Sequence, residues 1–188
     1  MKKHLCVFGV LKTLEGMQIK TEMLKWLNDK YEVLCIEQEP PGILFEYPGI
    51  KYAAKLSVEL NEPVLYIHTK GAANPNKEWF QPLVRTIWQQ FYNAYTDKIF
   101  DIANNTKEPL VQTLFTGDKR RICWFNTFVM NQSASKIILE KLRISKDRYY
   151  YENMFTEMPN IKILAHLHSF CNTPADIINL LKKYQELT

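Results

Sequence analysis

Pro63-Val64-Leu65-Tyr66-Ile67-His68-Thr69-Lys70-Gly71 reads as a buried strand that runs out into a polar loop. Upstream, Leu5 to Val10 forms a first apolar strand, and Met17 to Asp29 places Ile19, Met23 and Leu27 on one helix face. Glu32 to Glu37 reads as a second strand and Gly49 to Leu60 as a helix. Strand and helix therefore alternate up to His68, which predicts a mainly parallel α/β sheet with helices on both faces. Ligands of such sheets bind outside the carboxyl ends of the strands, so His68, Thr69, Lys70 and Gly71 fall where polar groups can act. A His and a Lys two residues apart can contact a phosphate or a metal-bound diphosphate, and Gly71 lets the backbone approach it.

Downstream, a long helix begins near Gln81, with Pro82 tolerated in its first turn. Leu83, Ile87, Phe91 and Ala94 form its expected apolar stripe, with Arg85, Trp88 and Tyr92 on an adjoining face. Leu110 to Phe115 and Ile122 to Met130 read as strands, and Ser133 or Ser135 can cap a helix running to Leu142. A short helix around Arg148 to Phe155, a strand from Ile161 to Ala165, and a terminal helix opening at Thr173-Pro174-Ala175-Asp176 complete the reading.

The chain of 188 residues is expected to form one domain, residues 1–188, with 46% hydrophobic and 23% charged residues. Its net charge of +4 is spread along the sequence, which favours small anionic ligands and does not suggest a nucleic-acid partner. No apolar run approaches the roughly 18 residues of a membrane span, so membrane association is at most peripheral. Cys6, Cys35, Cys123 and Cys171 lie far apart, the pattern of reduced thiols in a cytoplasmic protein.

Several side chains are candidates for chemistry. Glu37 and Glu39 follow the second strand, where a carboxylate can bind a ribose hydroxyl; a solvated acidic turn explains them as well. Neither a Gly-x-Gly-x-x-Gly turn after the first strand nor a phosphate-binding Gly-x-x-x-x-Gly-Lys-Ser/Thr loop occurs. His166 and His168, two apart at a strand end, can present two imidazoles to one space, either to a metal or to ordinary hydrogen-bond partners. Arg148 and Glu152 are four apart and flank Tyr149, Tyr150 and Tyr151; a structural ion pair and a carbohydrate site are both open. Trp124 and Asn126, in Trp124-Phe125-Asn126-Thr127-Phe128, form a second aromatic wall or part of the core.

In order and rough spacing, four segments over about residues 60 to 160 resemble a group of bacterial and viral glycosyltransferase-like proteins related to surface-polysaccharide synthesis. They are Tyr66-Ile67-His68-Thr69-Lys70-Gly71, Arg85 in its Trp- and Phe-rich helix, Trp124 to Phe128, and Arg148 to Phe155. The third departs from the group's Gly-Asn-Phe-Trp-Trp type of run, lacking the Gly and the paired Trp. The resemblance implies a GT-A-like fold, a nucleotide-diphosphate-sugar donor, and sugar transfer to a hydroxyl of a glycan or other acceptor. It also implies Mn²⁺ or Mg²⁺ as a candidate cofactor. GT-A enzymes usually hold the ion through an Asp-x-Asp pair, which this sequence lacks. Either Lys70 and Arg residues neutralise the diphosphate, or a metal is held differently, with His166 or His168. On this reading His68, Thr69, Lys70, Gly71, Glu37, Glu39 and Arg85 meet the donor. Trp124 and Asn126 meet the acceptor, and Glu152, oriented by Arg148, is the catalytic base or sugar anchor. The alternative is a carbohydrate- or nucleotide-binding protein that keeps the fold without the chemistry.

Overall fold

The structure, a computed structural model, describes residues 3–39, 46–69, 81–115, 127–145, 147 and 150–167; Phe115, Glu152 and Leu167 are described in backbone only. The elements follow in the order β1 (His4–Leu11), α1 (Leu14–Lys30), β2 (Tyr31–Gln38), α2 (Tyr47–Leu60), β3 (Val64–His68) and α3 (Gln81–Asn105). After them come β4 (Leu110–Phe115), β5 (Phe128–Met130), α4 (Gln132–Lys141), α5 (Tyr150–Asn153), a 3₁₀ turn (Met154–Glu157) and β6 (Lys162–Leu167). The chain is thus an α/β protein with a six-stranded sheet in the order β2-β1-β3-β5-β4-β6. The sheet is mixed: β5 runs antiparallel to both of its neighbours, while β1–β2, β1–β3 and β4–β6 pair in parallel.

Strand β1 explains why the sheet is sandwiched. Every residue from Leu5 to Val10 is buried, the continuous apolar run of a strand covered on both faces. Cys6, Phe8 and Val10 join Leu65, Ile67 and Val129 under α1 and α3, where Met23, Leu27, Trp88 and Phe91 complete one core. Leu5 and Val7 join Val64, Tyr66, Phe128 and Met130 under α2 and α4, with Tyr151 and Phe155 in the same second core. Fully burying one such apolar side chain contributes about 1.5–3 kcal/mol.

Helix α1 starts at Thr13, whose side chain accepts from the Gly16 N–H at 3.0 Å. Gly16 is required there because a Cβ would overlap the Leu11 carbonyl oxygen. The face of α3 differs from the expected stripe: Val84, Ile87, Trp88, Phe91 and Tyr92 are buried, Leu83 only partly, and Ala94 is exposed. At about 100° per residue Leu83 and Ala94 fall on nearly one line at the margin of the helix's buried face, whose centre lies toward Trp88 and Tyr92. The cap of α4 is Asn131 instead of Ser133 or Ser135. Asn131 has the extended backbone a cap needs, whereas Ser133 donates to the Lys107 carbonyl at 2.8 Å and Ser135 to its own helix at the Asn131 carbonyl, 2.9 Å. The last strand runs on to Leu167, so His166 lies within it. Residues 122–126 and the terminal helix read at 173–188 lie outside the described residues.

Candidate functional site

Strands β1, β2 and β3 end together, and their register fixes which side chains meet. His68 is level with Gly9 and Gly9 with Ile36; Glu37 is level with Val10. His68 and Glu37 therefore share the carboxyl edge, with backbones about 10 Å apart at two interstrand steps. They lie on opposite faces of the sheet, because side chains alternate along each strand. Glu37 points toward α1, where Lys20 meets it, and this partner holds its carboxyl below the ordinary range. Glu39 is paired with Lys12 at the same edge. Thr69 ties the edge together: its N–H donates to the Gly9 carbonyl at 2.9 Å and its hydroxyl accepts from the Leu11 N–H at 3.1 Å.

His68 meets a residue that the sequence pattern did not single out. Glu46 immediately precedes α2, makes no side-chain cap bond to that helix, and brings Oε1 to 3.9 Å from His68 Nε2. The two side chains are 11% and 19% exposed, shielded from bulk water but reachable. Tyr66 stacks beside His68 with ring centroids 6.1 Å apart, and Trp88 of α3 meets the imidazole edge-on at 5.9 Å. Burial chiefly, and the Glu46 charge next, hold the Tyr66 hydroxyl well above its ordinary pKa. Burial also raises Tyr151, with Glu46 among the lesser causes. Gly49 lets α2 approach this close, since a Cβ there would stand 2.7 Å from Tyr66 Cε2. Thr127, just before β5, is buried, and its hydroxyl has no hydrogen-bond partner among the described residues.

Arg85 lies near the start of α3 and is half-buried. Burial lowers its pKa, and the charges of Glu22 and Glu15 on α1 act in the other direction. It stays a cation, placed on the α1 side of the edge.

His166 stands apart from this group. Its Nε2 is 3.1 Å from Gln112 Oε1, while the Gln112 amide donates to the Ile99 carbonyl at 2.7 Å. That second bond turns the oxygen of Gln112 toward His166, so Nε2 carries the imidazole proton and Nδ1 the lone pair. Burial first and Lys98 second push the His166 pKa down, which keeps the ring neutral at pH 7. The groups described around it are an amide, the Phe91 ring and Lys98, none of them a metal ligand of the usual kind. Among the described residues no cluster of three or more His, Cys, Asp and Glu is placed to hold a metal ion.

Tyr150 and Tyr151 are core residues. Their hydroxyls accept from the N–H groups of Arg143 and Ser145, pinning the segment after α4. The backbone of Glu152 lies in α5 beside them. Lys70, Gly71, Trp124, Asn126, Arg148 and His168 lie outside the described residues, as do Cys123 and Cys171; Cys6 and Cys35 are free thiols. No helix among the described residues is long and apolar enough to cross a membrane. No protein-family model matches the sequence, and no curated protein matches it at a significant level.

Proposed function

We propose that this chain is a GT-A-like glycosyltransferase that takes a nucleotide-diphosphate sugar at the carboxyl edge of β1, β2 and β3 and transfers the sugar to a hydroxyl acceptor. The observation that carries the reading is the meeting of His68 with Glu46 beside Tyr66 and Trp88, at the edge where the parallel strands end. A carboxylate next to an imidazole, backed by the buried rings of Tyr66 and Trp88, offers a sugar hydroxyl an acceptor and a donor side by side.

In this reading Lys70, Arg85 and His68 lie toward the diphosphate. Cations there favour the charge that develops as the bond between the anomeric carbon and the phosphate oxygen breaks. Glu37 and Glu39 lie toward the nucleoside, although each already has a lysine partner that a ligand must share. Glu152, with Arg148, belongs to the acceptor side together with Trp124 and Asn126. The absent Asp-x-Asp pair favours, as a second reading, a protein that binds the donor without turnover.

A thermal-shift series with UDP-glucose, UDP-galactose and GDP-mannose, with Mn²⁺ or with EDTA, tests the proposal. A donor at 100 times its Kd adds about 2.7 kcal/mol to stability. For a chain of this size that raises Tm by about 5–10 °C. Release of UDP or GDP in the presence of an acceptor then separates transfer from binding alone. No shift with any nucleotide sugar would remove the reading.

A further inference from the structure

We infer that the Glu46–His68 pair is a hydroxyl reader, recognising one ring hydroxyl of the bound nucleotide sugar; this rests on the donor site proposed above. It takes His68 off the diphosphate, which is left to Lys70 and Arg85, and it gives a task to Glu46, which no sequence motif marks.

The geometry is specific. At 3.9 Å the Glu46 Oε1 to His68 Nε2 separation is too long for a direct hydrogen bond. It is short enough that a single oxygen about 2.8 Å from each atom touches both. With the imidazole proton on Nε2, that oxygen donates to the carboxylate and accepts from the N–H, and among the groups of a nucleotide sugar a hydroxyl does both. A phosphate oxygen only accepts, and the carboxylate would repel it.

The surroundings agree. Glu46 leaves its own helix uncapped and turns to His68, and it lies at the positive end of the α2 dipole, which favours its ionised form. Tyr66 packs beside the imidazole on one side and Trp88 on another, so the ring of His68 is positioned before any ligand arrives. Both side chains are mostly shielded from water, the condition under which a missing hydroxyl is felt most strongly.

Two parts of the ligand carry such hydroxyls, the ribose and the transferred sugar, and the test distinguishes them. The Kd of UDP-glucose, or of whichever nucleotide sugar stabilises the wild type, is measured for the wild type and Glu46→Gln. The 2′- and 3′-deoxyribose analogues and the 2-, 3- and 4-deoxy-sugar analogues of that donor are measured with both proteins. Glu46→Gln keeps the side-chain shape and replaces a charged acceptor by a neutral one, so binding of the parent donor should weaken about 10- to 100-fold. One analogue should bind the wild type correspondingly less well and lose nothing further in the variant, and that analogue names the hydroxyl. His68→Gln, which keeps a donor at that place, serves as a second variant and should retain part of the discrimination.

If Glu46→Gln and the wild type bind every analogue with the same ratio of affinities, the reader does not exist, while the donor site stands. If the wild type binds no nucleotide sugar at all, the functional reading itself fails. Circular dichroism spectra that match the wild type keep either outcome from being a folding artefact.

Discussion

Replacing Asn131 by alanine should cost about 3 kcal/mol of stability, because this one amide holds together three parts of the chain. It is 3% exposed. Its oxygen accepts from the N–H groups of Leu110 and Ala134, each at 3.0 Å, and its nitrogen donates to the carbonyls of Thr106 and Glu108, each at 2.8 Å. The end of α3, the start of β4 and the cap of α4 thus share one side chain with every hydrogen-bonding position filled. Four bonds at a net of about 0.5–1.5 kcal/mol each give roughly 2–6 kcal/mol, and water reaching the partly buried carbonyls favours the lower half. For a chain of this size the Tm should fall by about 6–12 °C. Urea unfolding followed by tryptophan fluorescence measures the loss, with an unchanged slope showing that the native compactness is kept. Asn131→Asp is the informative companion. It keeps the acceptor but sets a carboxylate against two carbonyls, so its folded pKa is raised and its stability falls as pH rises through the acid range. Asn131 lies at the opposite edge of the sheet from His68, so donor binding by the folded variant should not change. A cost for Asn131→Ala below about 1 kcal/mol would refute the reasoning, since even the loss of a cap alone typically reaches that.

Gly16→Ala should destabilise the protein although alanine favours a helix by about 1 kcal/mol, because its Cβ would collide with the Leu11 carbonyl; an urea midpoint at or above the wild type would contradict this. His166 should titrate by NMR below the ordinary value of about 6.5, and Lys98→Gln should recover only part of the difference, since burial is the larger cause. A histidine whose folded pKa is lowered leaves stability complete above its unfolded pKa and loses it as pH falls toward the folded value, so His166→Gln should flatten the stability curve below about pH 6.5. A His166 midpoint at or above the ordinary value would sink the account of its tautomer and charge. If Glu152 handles the acceptor proton, Glu152→Gln should reduce turnover by about 10²–10⁴-fold with little change in donor affinity; a variant that mainly melts earlier and stays active would make it a structural residue.

The first half of the fold was legible because its periodicity is strong. Leu5 to Val10 and Val64 to Ile67 are continuous apolar strands, and Ile19, Met23 and Leu27 mark the buried face of α1. Strand parity also shows that Glu37 points to the same side as Cys35. What the sequence lacks is the register across β1 that sets His68 on the other side, since register is a property of paired strands. The cap of α4 was misread because Ser133 and Ser135 are as apt chemically as Asn131; the extended backbone at Asn131 decides, and it follows from the tertiary bonds to Leu110 and Thr106. Glu46 gave no local signal beyond an acidic residue ahead of Tyr47-Pro48-Gly49, where Pro48 opens the helix. Its partner is 22 residues away at the end of another strand, and only folding brings the two together.

The central claim, that a nucleotide sugar binds at the carboxyl edge of β1, β2 and β3, is tested most directly by a ¹H–¹⁵N NMR titration of the labelled protein with the nucleotide sugar that stabilises it most. The largest shifts should fall on Gly9 to Lys12, Glu46 to Ile50, His68 to Lys70 and Arg85 to Trp88, with Thr106 to Leu110 and Met130 to Ala134 unmoved. Shifts centred on that second group, or none at saturating ligand, would contradict the account.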